Sequence, residues 1–450
     1  MGAGKSTIGR EVARRLDRAF HDTDTMIEER EGGIPELFAN GGEDLFRDLE
    51  SRILLELREA REPLVIALGG GAVETDAIRE ALTSMCTVYV EVDLETAWER
   101  TRGTDRPLAT DEEEFRTRFE LRQPLYYEVA DAVAHDADDV ILAAAGIHVG
   151  VGALERLAEL VPGDGPVALV ADAHVAGIHG MDAQLALGGR LVSTHEVSGK
   201  SATDLEALWR SLRLDRGGTI VALGGGTTTD LAGFAAATYM RGLDWVSVPT
   251  TLVGQVDAAI GGKTAIDLPE AKNLVGAFHW PVRTVIDPAL LATLPEIERL
   301  NGLAEVVKTG LLAGEPLWEL PDDELVRRCA AYKAALCLRD PEDRGPRHAL
   351  NLGHTFAHAL ESASGYELSH GRAVALGLLA ALRLSRRDTA SVEEVLAPEP
   401  VRVDRERAWE ALLRDKKGRL RIVLLGDDGM REEERAETDV RAALDALIAE

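Results

Sequence analysis

The stretch TIVALGGGTTTD, residues 219–230, decides the fold class: a short apolar run breaks into three consecutive glycines, and an aspartate follows. A run of about four to eight apolar residues bounded by glycine suits a strand buried on both faces. A strand that runs straight into a glycine turn brings bare backbone to a ligand at the carboxyl edge of an α/β sheet. The same shape occurs in LVIALGGGAV, residues 64–73. The sequences flanking the two stretches differ, so two separate α/β units are expected rather than a repeat. At DADDVILAAAGIHVG (136–150) an acidic helical tail passes into a new strand-like start, which puts the first boundary near Ala145. From 146 to 288 the strand-like PVALVAD, GTIVALGG, WVSVPTT and TVIDP alternate with helical segments, as in a parallel sheet. Beyond Pro288 the pattern turns mainly helical. Three domains are therefore expected, over 1–144, 146–288 and 289–450.

Composition narrows the function. The 450 residues are 45% hydrophobic, which is globular. There is no uninterrupted apolar run of about 18 residues and no basic-then-apolar leader, so neither a transmembrane helix nor export is expected. Three cysteines (Cys86, Cys329, Cys337) are too few and scattered for a disulfide framework or a thiolate metal site, and a reduced cytoplasm is the expected location. A net charge of −28 argues against nucleic acid, whose phosphates need a basic footprint. Small anionic ligands must then bind in locally basic pockets. Only eight lysines occur (Lys5, Lys200, Lys263, Lys272, Lys308, Lys333, Lys416, Lys417), and most fall inside motifs. Lysine offers a compact point charge that arginine does not reproduce.

The chain opens MGAGKSTIGR, in which Gly4, Lys5, Ser6 and Thr7 supply the second half of G-x-x-x-x-G-K-[ST], a loop that cradles phosphates. The first glycine of that pattern, and the strand that should carry it, are missing. Met1 is accordingly expected to be an internal residue of a longer natural loop. Downstream, HDTDTMIEER places Asp22 and Asp24 two apart, where one carboxylate could order magnesium waters beside Ser6 and the other accept from a substrate hydroxyl. Arg47 in GGEDLFRDLE could hold a carboxylate, and Arg106 and Arg122 sit in TRGTDRPLA and ELRQPLYYEVA. These elements, in order and spacing, resemble shikimate kinase over residues 1–144. The resemblance implies a three-layer α/β P-loop kinase domain and magnesium-ATP phosphorylation of a shikimate hydroxyl. Lys5 would contact the β- and γ-phosphates beside Gly4 and Thr7, Ser6 and Asp22 would hold magnesium, and Arg106 would belong to the lid. Asp24, Arg47, Gly70 and Arg122 would bind shikimate. A missing first strand would leave neighbouring strands with unpaired backbone groups, so kinase activity is expected to depend on it. A non-catalytic binding or scaffold module is the alternative.

The second unit carries metal-ligand types. Glu305 and Lys308 lie three apart in NGLAEVVKTG, and His354 and His358 four apart in RHALNLGHTFAHALE, each pair on one helix face. Arg347 and Asn351 precede them, and His370 stands before a glycine in ELSHGRAV. One glutamate and two histidines leave a coordination position open, the catalytic rather than the structural pattern of zinc. PTTLVGQVDAAIGGKTAI and AKNLVGAF place Asp257, Lys263, Lys272 and Asn273 in what read as glycine-punctuated loops.

With the DKK at 415–417, these motifs resemble 3-dehydroquinate synthase over 146–450. The implied architecture is a Rossmann-like NAD-binding α/β domain followed by a mainly α-helical metal-binding domain. The implied reaction is cyclisation of 3-deoxy-D-arabino-heptulosonate 7-phosphate with phosphate release, through transient NAD oxidation of a hydroxyl that acidifies the neighbouring C–H. By that resemblance Glu305, His354 and His370 would bind zinc or cobalt. Gly226, Asp230, Thr250, Thr251, Thr293, Lys263 and Lys272 would line the NAD site. Asp257, Arg241, Lys272, Asn273 and Lys416 would hold substrate, and Lys263, Lys308, Arg347, Asn351 and His358 would serve the chemistry. A homodimer through the synthase part is expected. Ala271 and Ala357 stand where the family usually has glycine, and Glu196 and Lys200 are one residue further apart than its Glu-x-x-Lys. The alternative of the same class is another sugar-phosphate cyclase.

Overall fold

A computed structural model describes residues 2–103, 111–415, 420–427 and 429–449. Arg106 and Lys416 lie outside the described residues. The chain divides into two compact units, Met1–Ala145 and Gly146–Glu450.

In the first unit β1 (Ala19–Asp22) pairs in parallel with β2 (Leu64–Ala67), and β3 (Val88–Val90) pairs in parallel with β4 (Ala132–Ala134). Among the described residues no strand joins β2 to β3. A cavity of about 570 Å³ lies there instead, lined by Val65, Ile66, Val88 and Val90 and by Val12 and Leu16 of the helix Lys5–Leu16. The walls these residues form are apolar, as the flanks of a strand inside a parallel sheet are.

The second unit is built on β5 (Ile147–Val149), β6 (Val167–Asp172), β7 (Leu191–Val197), β8 (Thr219–Gly224), β9 (Asp244–Pro249) and β12 (Arg283–Ile286). They form one parallel sheet in the order β5-β12-β9-β8-β6-β7. All six residues of β8 are buried. The period of two sends Ile220 and Ala222 to one face, against Leu231 and Ala235 of the helix Gly226–Thr238, and Val221 and Leu223 to the other. That is why TIVALG reads as continuous rather than alternating apolar sequence. The edge strand β7 does alternate, with every second residue exposed.

The residues around Lys263 and Lys272 are not loops. They form an antiparallel hairpin, β10 (Lys263–Leu268) and β11 (Ala271–Phe278). Most of β11 is exposed, so its strand character leaves no apolar alternation in the sequence. Ala271 and Ala357 both have negative φ, so neither needs glycine. A second antiparallel hairpin, β13 (Arg421–Gly426) and β14 (Gly429–Glu434), interrupts the helical part.

Three helices of that part cross closely. A Cβ on Gly371 would stand 2.4 Å from Asn301 Cα, and one on Gly377 2.1 Å from the Gly353 carbonyl oxygen. Only glycine lets the helix His370–Leu384 approach both Glu296–Ala313 and the start of His354–Ala363 at these points. No helix of the described residues is long and apolar enough to cross a membrane.

Candidate active sites

The helix crossings bring the middle of one helix against the starts of two others. Glu305 projects from the middle of Glu296–Ala313, while His354 and His370 each begin their own helix. Single donor atoms of the three side chains all lie within 4.8 Å of one another. His370 Nε2 is 2.9 Å and His354 Nε2 3.4 Å from Glu305 Oε1. On the other side of each ring, His370 Nδ1 meets Glu361 Oε1 at 3.1 Å and His354 Nδ1 meets the Leu352 carbonyl at 3.2 Å. Each imidazole is thus held from its far nitrogen.

The cluster continues as a chain of buried charge. Lys308, 1% exposed, pairs with Glu305 Oε2 and lies 3.5 Å from Asp257 Oδ1. Asp257 sits in a single π-helical turn, Gly254–Ala258, and its Oδ1 also takes Lys333 Nζ at 2.8 Å. Burial acts to raise the Asp257 carboxyl, but the ammonium groups of Lys308 and Lys333 override it and hold it below the usual range. Glu305 is likewise pulled well below its usual value against burial, by Lys308 and His354. Burial opposes protonation of His370, yet its bonds to Glu305 and Glu361 raise it to about 10. Burial and Lys308 lower His354. The two imidazoles are thus shifted in opposite directions by their surroundings.

Further out, Lys263 pairs with Asp343, and Arg347, 3% exposed, donates to the Gly261 carbonyl at 2.9 Å. Lys272 stacks over the Tyr366 ring at 4.7 Å. His358 is on the exposed side of its helix, with its ring 5.6 Å from that of His354, and Asn351 ends the turn Pro346–Asn351. Arg241 stands apart from this group. It is exposed, in a left-handed turn beyond the end of Gly226–Thr238 opposite to the glycines.

At the carboxyl edge of the sheet, the turn Gly224–Gly226 opens onto the first turn of the helix Gly226–Thr238, where backbone amides favour anions. Asp230 pairs there with Lys200 at 2.7 Å, and Lys200 also contacts Asn273. Lys200 therefore reaches the site despite its spacing from Glu196, which is exposed on β7. The buried Thr250 Oγ1 after β9 has no hydrogen-bond partner among the described residues, while Thr251 Oγ1 accepts from the Gly254 amide at 3.1 Å. Thr293 instead bonds to His179 at 2.8 Å.

In the first unit, Ser6 Oγ donates to Asp22 Oδ2 at 2.5 Å, and the other oxygen of Asp22 caps the helix Thr23–Glu31 at Asp24 N. Lys5 starts its helix after Gly4, which has φ 80°. Arg47 pairs with the fully buried Glu50 at 2.8 Å and with Glu43 at 2.7 Å. Burial raises the Glu50 carboxyl despite Arg47. Arg122, 2% exposed, pairs with Glu74, and Tyr126 hydroxyl donates to the Gly70 carbonyl. A Cβ on Gly69 would stand 2.8 Å from Asp24 Oδ1.

Sequence reasoning missed Lys333, Asp343, Glu361 and Glu74. Lys333 carried one available signal, membership of the small lysine set, but it lies mid-helix without a motif around it.

Comparison with known proteins covers both units. Residues 1–146 match the shikimate kinase family, 192–301 the N-terminal and 302–417 the C-terminal family of 3-dehydroquinate synthase. A 3-dehydroquinate synthase of Bordetella pertussis is 39% identical over 66% of this chain and 95% of that protein. A bifunctional shikimate kinase/3-dehydroquinate synthase of Thermotoga maritima is 34% identical over 93% of this chain and 92% of that protein. Among solved structures, a 2-deoxy-scyllo-inosose synthase with bound carbaglucose-6-phosphate, NAD+ and Co2+ superposes with a TM-score of 0.60 at 23% identity, over 66% of this chain and 95% of that one, a likeness of fold.

Proposed function

This chain belongs to the family of bifunctional shikimate kinase/3-dehydroquinate synthases, and from that premise we propose how its two sites divide the work. It is a shikimate-pathway enzyme that cyclises 3-deoxy-D-arabino-heptulosonate 7-phosphate to 3-dehydroquinate with loss of phosphate, and phosphorylates shikimate from ATP. The observation that carries the assignment of the synthase site is the convergence of Glu305, His354 and His370 beside Lys308, Lys333 and Asp257.

A carboxylate and two imidazoles with donor atoms this close suit a zinc or cobalt ion with an open position. Such an ion, when bound, supplies Lewis-acid polarisation of a substrate oxygen. The orphaned Thr250 Oγ1 and the open helix start after Gly224–Gly226 suit NAD, which when bound would supply reversible hydride exchange with the carbon that carries a substrate hydroxyl. Lys308 and Lys333 hold Asp257 ionised, so that its carboxylate orients and accepts from substrate hydroxyls. Lys263, Lys272, Asn273 and Arg347 form a cationic and polar rim for the phosphate and carboxylate, and offset the charge that grows as phosphate leaves. His358, whose ring lies 5.6 Å from that of His354, is assigned to proton movement, and Asn351 to polar contact with the substrate. In the kinase site we assign Ser6 and Asp22, which hydrogen-bond to each other, to magnesium, Lys5 to the phosphates of ATP, and Asp24, Arg47, Gly70 and Arg122 to shikimate.

The test is to assay the full chain for phosphate release from the heptulosonate substrate and for shikimate-dependent ADP release. Chelator should abolish the first reaction, and added zinc or cobalt should restore it. Phosphate release that survives complete chelation would remove the metal from the site. ADP release without dependence on shikimate would remove the kinase assignment.

Glu361 gives a narrower check. A carboxylate behind a ligating histidine fixes the tautomer and the ring, and losing it weakens metal binding about 10- to 100-fold. Glu361→Ala is expected to shift metal affinity by that amount in a chelator competition. Unchanged affinity would mean that His370 needs no support.

A further inference from the structure

We propose that Glu74 is an internal stand-in for the substrate carboxylate in the kinase site: shikimate binds by displacing it, and Glu74 thereby sets how tightly a carboxylate substrate is held. The proposal rests on the assignment of Arg47 and Arg122 to shikimate. Glu74 follows the triple glycine at the end of the turn Ala72–Glu74. A single oxygen, Oε2, lies 2.8 Å from Arg122 NH2 and 3.5 Å from Arg47 NH2. Bridging two guanidinium groups in this way is what a bound carboxylate ligand would do.

The three partners differ in exposure. Arg122 and Arg47 side chains are 2% and 13% exposed, whereas that of Glu74 is 40% exposed. The arginines are fixed walls, and the glutamate reaches them from the mouth. The backbone beneath it is pinned, with the Glu74 amide donating to the Gly71 carbonyl at 3.0 Å and Tyr126 holding the Gly70 carbonyl. Only the glutamate side chain is left to move. Arg47 keeps Glu43 and Glu50 when Glu74 swings away, so departure does not strand its charge.

An entering carboxylate needs the same N–H groups, and two carboxylates on one pair of arginines repel. Binding is therefore an exchange of one anion for another. A neutral alcohol in the same place does not contend for the arginines and leaves Glu74 on them, so only carboxylate ligands meet this competition. Because Glu74 is partly solvated, its pairs are worth little more than a surface ion pair, and its removal should tighten carboxylate binding about three- to tenfold.

The experiment titrates the full chain calorimetrically with shikimate and with the analogue whose carboxylate is reduced to an alcohol, for the unsubstituted protein, Glu74→Gln, Glu74→Ala and Arg122→Lys. Both Glu74 variants are expected to bind shikimate about three- to tenfold more tightly and to show no such gain for the alcohol. Weaker or unchanged shikimate binding, or no binding by either Glu74 variant, overturns the proposal and makes Glu74 a support for the arginines. An equal gain for the alcohol overturns it too, by reducing the effect to steric opening. Undiminished binding by Arg122→Lys would instead overturn the arginine assignment beneath it.

Discussion

Glu305→Gln is expected to leave the synthase site without stoichiometric metal and to slow dehydroquinate formation by about 10³-fold or more. Glutamine keeps the shape but not the charge to which two histidines and a lysine converge. The loss of a Lewis acid removes several kcal/mol of stabilisation of developing charge, and each ~1.4 kcal/mol is tenfold in rate. Lys308 is then left with Asp257 alone, 3.5 Å away. The measurement is metal content by elemental analysis beside the initial rate of phosphate release. A Glu305→Gln protein that retains one metal per chain and its turnover would show that the metal sits elsewhere.

The second large effect is on stability. Lys308 is 1% exposed and lies between the carboxylates of Glu305 and Asp257, both of which its ammonium helps to hold ionised. Burial favours the neutral amine, but the two carboxylates outweigh it and keep the ammonium above its usual pKa. Lys308→Met would leave the buried Glu305 carboxylate to its two histidines and the half-buried Asp257 to Lys333 alone. Breaking a buried ionic group in this way costs about 3–5 kcal/mol. For a unit of this size that is a fall in melting temperature of about 6–10 °C. Melting should be followed in chelator, so that metal cannot replace the missing cation. A metal-free Lys308→Met unit that melts with the unsubstituted protein would mean the carboxylates protonate without penalty and that the ammonium is not part of the structural framework.

The features legible in the sequence are those whose chemistry is local. TIVALGGG reads as a buried strand and turn because the six residues of β8 are all buried and the glycines follow at once. Glu305 and Lys308 read as one face because three residues nearly complete a helical turn. The hairpin β10–β11 was not legible, because its exposed strand carries Lys272, Asn273 and Gly276 where a half-buried strand would alternate. Arg241 was expected in the substrate site by the resemblance, but the fold of one chain puts it beyond the far end of its helix from the glycine turn. Lys333, Asp343, Glu361 and Glu74 gave no motif because each acts through a partner distant in sequence or through a single contact at a pocket mouth.

The sequence by itself determined that two α/β units follow one another, which family each belongs to, and which residue types each site can use. Glycine turns, a GKST helix start and the Glu and His motifs are runs of neighbours, and neighbours are placed by backbone geometry alone. Only the tertiary structure decided which atoms meet. His370 reaches Glu305 across 65 residues, and Lys333 reaches Asp257 across 76. Those meetings depend on helices that cross where Gly371 and Gly377 leave no room for a side chain, and on burial deep enough to make each charge require its partner.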